Sequence, residues 1–348
     1  MNKVFFGDCR DTMRDLIAQG VKVQMCVTSP PYFGLRDYGH PGQLGLEATP
    51  AEFVAAMVEV FALVRELLAD DGVLWLNLGD SYNAAGRTGH GTRQGFKQGT
   101  NRASAEKADN CRPSVDNLKP KDLIGIPWRV AFALQADGWY LRQDIIWHKP
   151  NPMPESVTDR CTKAHEYLFL LSKSERYYWN AEAMREQAAE TSVARWAQDV
   201  EGQIGSDRVP GKTNGNMKAV GGPRSKRDSF KREDSKRAEV IPGQTVGTHR
   251  PDRDESEWDT ATRNRRSVWT VPTVPYSGAH FATFPPALIE PCILAGSRSG
   301  DTVLDCFFGS GTTGEVAGNL GRNWIGCEIN DQYAPLQQAR TAQRGLAL

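Results

Sequence analysis

The apolar positions of this chain change period several times, and each change marks an element. "VQMCV" (23–27) is a short unbroken apolar run, which predicts a buried strand. "TPAEFVAAMVEVFALVRELLADDG" (49–72) repeats its apolar residues at helical spacing and carries end markers. Thr49 can cap, Pro50 suits the first turn, Glu52 completes a capping box, and Gly72 supplies a left-handed residue for the exit. "VLWLNLGD" (73–80) follows at once and is apolar nearly throughout, as a strand covered on both faces should be. The pattern resumes in "IPWRVAFALQADGWYLRQDIIWHK" (126–149) as helix, glycine turn and strand, and "HEYLFLLSKS" (165–174) adds a further strand. From 280 to 330 the order is helix, strand, glycine-rich turn, helix, strand. This alternation predicts an α/β domain with a mixed, mostly parallel sheet flanked by helices.

Two polar stretches interrupt the pattern. Residues 83–119 and 181–266 lose regular periodicity and are rich in charge and glycine, and no internal repeat is present. The expected organisation is therefore one domain in two halves, 1–180 (with the polar loop 83–119) and 267–348, separated by a long insert at 181–266.

An apolar content of 39% with 9% aromatic residues is ample for a core. No apolar run reaches membrane-spanning length and "MNKVFFGDCRD" at the start is no leader, so no membrane association and a cytoplasmic location are expected. The seven cysteines form no C-x-x-C pair, which argues against a metal site and against a disulfide framework. Lys plus Arg and Asp plus Glu balance at 42 each, but unevenly along the chain. Residues 84–119 hold seven basic side chains against three acidic, and 208–237 hold ten against three. Each stretch reads either as a solvated loop or as a phosphate-facing one.

"TVLDCFFGSGTTGEVAGNLGRNWIGCEI" (302–329) has the form strand, glycine turn, helix, strand, and it closes on an acid. Glycines let a backbone approach a ligand, and a carboxylate about 20 residues on can bind ribose hydroxyls. Glu328 stands 19 residues after Gly309. The turn lacks the lysine of a phosphate-binding loop and the third glycine of dinucleotide binders, and Asp305 precedes it. A carboxylate there favours a cationic nucleoside such as S-adenosylmethionine over a pyrophosphate.

A second stretch, "VTSPPYFGL" (27–35), ends the first strand in two successive prolines. They hold the backbone extended and stiff and donate no hydrogen bond, so the Ser29 hydroxyl and nearby carbonyls form a cluster of acceptors beside the Tyr32 ring, suited to holding an N–H group.

At these residues the chain resembles a known family. "DCFFGSGTT" is similar to the cofactor motif D-x-F-x-G-S-G-T-T of DNA amino-methyltransferases, and "TSPPY" to their catalytic motif [S/D/N]-P-P-[Y/F/W]. The catalytic motif comes some 275 residues before the cofactor motif, which resembles the β-ordered group. "FFGDC" and "HFATFPPALIE" resemble two further cofactor motifs of that group, and the two polar inserts are unmatched. The resemblance implies a Rossmann-like methyltransferase fold with S-adenosyl-L-methionine as cofactor. It assigns Asp8, Phe284, Asp305, Phe307, Gly309, Ser310, Gly311, Thr312, Thr313 and Glu328 to the cofactor, and Ser29, Pro30, Pro31 and Tyr32 to catalysis. For Asp8 a helix cap is the other reading, and Asp80 reads equally as a cap or a pocket residue.

An exocyclic amino group is a poor nucleophile because its lone pair is delocalised into the ring. If Ser29 and the Pro30 carbonyl accept its two N–H bonds, the lone pair is freed towards the methyl group, with Tyr32 stacked on a base taken out of the duplex. The implied partner is double-stranded DNA, with 181–266 as a target-recognition insert and Arg224, Lys226, Arg227, Lys231 and Arg232 on the phosphates. His148 and Lys149 either contact phosphates or only shape a loop. A homodimer and a cognate restriction endonuclease are further partners to test. Serine in the first motif position leans to cytosine N4, with adenine N6 the alternative and an inactive DNA-binding relative the third reading. A cytosine-C5 enzyme would need a nucleophilic Pro-Cys pair. Pro291-Cys292 lies in an apolar helical pattern on the wrong side of the cofactor turn.

Overall fold

A computed structural model describes residues 2–35, 40, 42–83, 118–191, 193, 262–273 and 284–342. By internal contacts it divides into two units, Met1–Met184 with Arg266–Leu348, and Arg185–Arg265. In the larger unit an eight-stranded sheet is built from β1 (Asn2–Phe6), β2 (Val23–Thr28), β3 (Leu68–Leu78), β4 (Tyr140–His148), β5 (His165–Ser172), β8 (Val268–Thr270), β9 (Thr302–Asp305) and β10 (Asn323–Glu328). Its order is β1-β10-β9-β2-β3-β5-β4-β8, parallel except where β5 runs against β3 and β4. In the smaller unit β6 (Arg185–Gln187) pairs antiparallel with β7 (Thr262–Asn264).

Both faces of the large sheet are covered, which is why its strands read as apolar runs. Cys26, Leu74, Leu76, Phe169 and Leu171 point to one core with α1 (Cys9–Ala18), α2 (Pro50–Leu67) and α3 (Ile126–Ala136). Their neighbours Met25, Val27, Val73, Trp75, Leu168 and Leu170 point to the other, with α4 (Pro286–Gly296) and α5 (Thr312–Asn319). The two-residue alternation of strands thus divides one apolar run between two layers. A last helix, α6 (Ala334–Thr341), closes the described chain.

The capping box at Thr49 and Glu52 forms as expected, but α2 ends at Leu67 rather than at Gly72. Leu68 already has extended backbone and begins β3, so Gly72 lies inside a strand and is not left-handed. The register between β2 and β3 slips there, from Val23 opposite Leu68 to Met25 opposite Val73. A Cβ at Gly72 would lie 2.9 Å from the Ala69 carbonyl oxygen and 3.0 Å from that of Gln24. Close backbone approach at a bulge, not helix termination, therefore requires the glycine.

Candidate active site

The site forms where β2 and β9 lie side by side and the sheet order reverses, at their carboxyl ends, the usual position for ligands in open α/β sheets. β2 runs into Ser29–Tyr32, and β9 into the glycine turn. Asp305 joins the two: its Oδ1 accepts from Thr28 Oγ1 at 2.6 Å and from the Phe307 amide at 3.0 Å, and its Oδ2 accepts from Thr313 Oγ1 at 2.6 Å. Burial pushes the Asp305 carboxyl up to about 6, against the pull of these donors. With both oxygens held by the protein, Asp305 acts on the cleft through its charge rather than through a free oxygen.

In the turn, Gly309 and Gly311 have φ of 54° and 90°, the left-handed region that favours glycine. Phe308, stacked on Trp324, is so close to two further glycines that a Cβ at Gly326 or Gly314 would come within 2.4 or 2.7 Å of its ring. Glu328 holds the turn from the next strand. Its Oε2 accepts from the Gly309 amide at 2.8 Å and its Oε1 from the Asn330 amide at 2.9 Å. Burial pushes the Glu328 carboxyl up to about 7.

These elements enclose a cleft of about 1130 Å³, counting space open to solvent. Asp8, Ser29 to Tyr32, Phe284, Asp305, Phe307, Gly309, Ser310, Thr312 and Glu328 all line it. Gly311 and Thr313, expected at the cofactor, do not: Thr313 is fully buried beneath the turn on Asp305, and Gly311 is the cap residue just before α5. Asp8 caps α1 through the Arg10 amide at 2.8 Å, as one of its readings expected, and it also lines the cleft. The Arg10 guanidinium, 2.6 Å away, holds its carboxyl below the usual range. Among the described lining residues there are three carboxylates and no Lys, Arg or His. Such a cleft attracts a cation and disfavours a pyrophosphate.

On the other side, no described group hydrogen-bonds the Ser29 hydroxyl, which is half-buried at the cleft. Tyr32 is held: its hydroxyl donates to Glu166 Oε2 at 2.7 Å and lies 3.2 Å from Asn77 Oδ1. Lys149 is ion-paired to the other oxygen of Glu166. Its charge is therefore satisfied inside the protein. Asn77, Gly79 and Glu166 escape sequence reading because their partner is distant along the chain, Glu166 lying 134 residues from Tyr32.

Asp80 is a cap, accepting from the Gly125 and Ile126 amides at 3.0 and 3.1 Å at the start of α3. Cys292 is buried in α4, its thiol donating to the Leu288 carbonyl at 3.4 Å, which leaves it no role as a nucleophile. Arg224, Lys226, Arg227, Lys231 and Arg232 lie outside the described residues, as does most of the loop 83–119.

A family model described as DNA methylase matches residues 23–339. The Type II methyltransferase M.SmaI of Serratia marcescens is 41% identical over 342 residues, spanning 98% of this chain and 91% of its own. Among solved structures, the PvuII DNA methyltransferase, described as cytosine-N4-specific, superposes with a TM-score of 0.56 at 15% identity, over 99% of this chain and 88% of that one. A Thermus thermophilus protein described as a DNA modification methylase and solved with S-adenosyl-L-methionine gives 0.52 at 19% identity, over 100% and 98%. Both structures are like this one in fold.

Proposed function

The chain belongs to the DNA methylase family, and on that footing we propose that it methylates the N4 amino group of cytosine at specific sites in duplex DNA. The observation that carries this reading is one cleft with an acidic, aromatic-lined half next to the unpartnered Ser29 hydroxyl and the prolines that follow it. S-adenosyl-L-methionine fits the acidic half and, when bound, supplies an electrophilic methyl on a sulfonium. Glu328 would accept from its ribose hydroxyls, Asp8 would hydrogen-bond its adenine, Phe284 and Phe307 would supply apolar walls, and the charge of Asp305 would favour its cationic end. Ser29 Oγ and the Pro30 carbonyl accept the two N–H bonds of the target amino group and turn its lone pair to the methyl. Tyr32 stacks on the base, which leaves the duplex to reach it.

Serine at position 29 supports cytosine, although a neutral hydroxyl also accepts from an adenine amino group. The basic composition of 208–237 supports the insert as the surface facing DNA phosphates, with Arg224, Lys226, Arg227, Lys231 and Arg232 among the contacts. The Type II names of its relatives support a place in a restriction-modification pair with a cognate endonuclease as partner, and a homodimer is a further partner to test. Among the described residues no helix is long and apolar enough to cross a membrane, and the proposed location is the cytoplasm. The test is mass analysis of nucleosides from unmethylated DNA treated with the protein and isotope-labelled cofactor. Label is expected in N4-methylcytosine. Label in N6-methyladenine would reassign the base, and unlabelled DNA would overturn the function.

Glu328 also makes cofactor affinity depend on pH. With its carboxyl near 7, about half of it is protonated at neutral pH, and hydroxyl donors of the ligand favour the ionised form. Binding therefore releases about half a proton at pH 7 and approaches a whole one below it. The dissociation constant should fall roughly tenfold per pH unit below 7 as pH rises, and level off above about 8. Calorimetric titrations between about pH 5.5 and 8.5 check this, and Glu328→Gln should flatten the curve.

A further inference from the structure

Asn77, Gly79 and Glu166 around Tyr32, with Lys149 on Glu166, have a geometry that stacking alone does not require. β2, β3, β5 and β4 are neighbours whose ends lie at the same end of the sheet, and Asn77 of β3 and Glu166 of β5 meet at the hydroxyl of Tyr32, which follows β2. Asn77 on β3 is buried, and its Nδ2 donates to Glu166 Oε2 at 3.3 Å and to the Tyr167 carbonyl at 3.1 Å. Glu166 and Lys149 expose only 16% and 18% of their side chains, and the Lys149 ammonium lies 4.2 Å from the centre of the Trp147 ring. A partly buried ion pair stabilises a fold little, because desolvation offsets the attraction. A carboxylate and an amide on one tyrosine hydroxyl, with Lys149 holding the other oxygen of that carboxylate, point to control of the tyrosine side chain instead.

The mechanics are separable. The hydroxyl lies on the axis of the ring's own rotation, so tethering it fixes χ1, the direction of the side chain, and leaves the ring plane free to turn. Gly79 fixes the plane: a Cβ there would lie 2.4 Å from Tyr32 Cε2 and 2.9 Å from Cδ2, so the ring rests directly on the Gly79 backbone. Both torsions of Tyr32 are thus set before a base arrives, which removes side-chain ordering from the reaction.

We propose that Glu166, held by Lys149 and Asn77, is a positioning residue that fixes the Tyr32 ring as the stacking platform for the flipped nucleobase. It acts on the angle at which the amino group meets the methyl donor and not on donor binding. This rests on the function proposed above. It is tested by a double-mutant cycle of Tyr32→Phe and Glu166→Ala, with Glu166→Gln as the conservative variant, using unmethylated duplex DNA and tritiated S-adenosylmethionine.

Each single change is expected to lower kcat about tenfold with cofactor affinity unchanged, and the double variant to be no slower than the slower single. Glu166→Gln, whose amide oxygen still accepts from Tyr32, should recover most of the rate. Losses that multiply in the double variant would overturn the proposal, as would full activity in Tyr32→Phe or a fall in cofactor affinity and melting temperature parallel to kcat in Glu166→Ala. Should Glu166→Ala fail to fold, Tyr32→Phe and Glu166→Gln decide: a slow Phe variant with a near-normal Gln variant supports it, and any other pairing sinks it. A wild type that transfers no label to DNA would overturn the underlying function, whereas transfer with independent losses would overturn only the positioning role.

Discussion

Replacing Ser29 by alanine is expected to lower methyl transfer by roughly 10²- to 10³-fold while leaving S-adenosylmethionine affinity unchanged. The hydroxyl has no protein partner among the described residues and faces the cleft, so its loss disturbs no bond that holds the fold. What it removes is an acceptor whose value rises as the amino nitrogen leaves conjugation and its N–H bonds become more acidic. An interaction stronger in the transition state than in the ground state lowers kcat and kcat/KM together. Single-turnover transfer measured beside equilibrium cofactor binding separates the two quantities. Equal losses in both would place Ser29 in the cofactor site and remove it from catalysis.

Asp305→Ala is expected to damage the fold first and the site as a consequence. Three donors converge on this carboxylate: Thr28 from β2, and Thr313 and the Phe307 amide from the turn and helix that follow β9. Thr28, Asp305 and Thr313 are each at most 1% exposed, so the orphaned groups cannot turn to water. Leaving them unsatisfied should lower stability by about 2–4 kcal/mol, and the melting temperature by roughly 3–5 °C. Asp305→Asn separates structure from charge. Its amide can still accept from Thr28 and Phe307 and donate to the Thr313 hydroxyl, so it should keep most of the stability while weakening attraction for the sulfonium.

The sign of the pH effect gives an internal check. With the folded carboxyl near 6, above the ordinary value of 3.8, Asp305 contributes most to stability when protonated. That contribution falls as pH rises from about 4 through 6. The stability gap between wild type and Asp305→Asn, followed by thermal melts, should therefore narrow across that window. A gap that widens with pH would contradict this environment for Asp305.

Much of the site was legible along the chain because its chemistry is local. Two prolines after a strand fix an extended turn whatever surrounds them, and glycines at 309 and 311 are required by positive φ within the turn itself. The capping box at Thr49 and Glu52 formed for the same reason, as it involves only near neighbours. Gly72 was misread because a glycine at the end of a helix and one inside a bulge look alike in sequence. Only the pairing of β3 with β2 shows which it is.

By itself, then, the sequence determined the α/β alternation, the two motifs and the acid that closes the glycine turn, all of them set by residues close together in the chain. The tertiary structure alone decided that Asp305 joins β9 to Thr28 across 277 residues, that Gly311 and Thr313 build the turn without lining the cleft, and that Glu166, Asn77 and Gly79 contact Tyr32 with Lys149 behind Glu166. Those contacts depend on the order of strands in the sheet, which is fixed by the burial of both its faces at once and which no local stretch of sequence encodes.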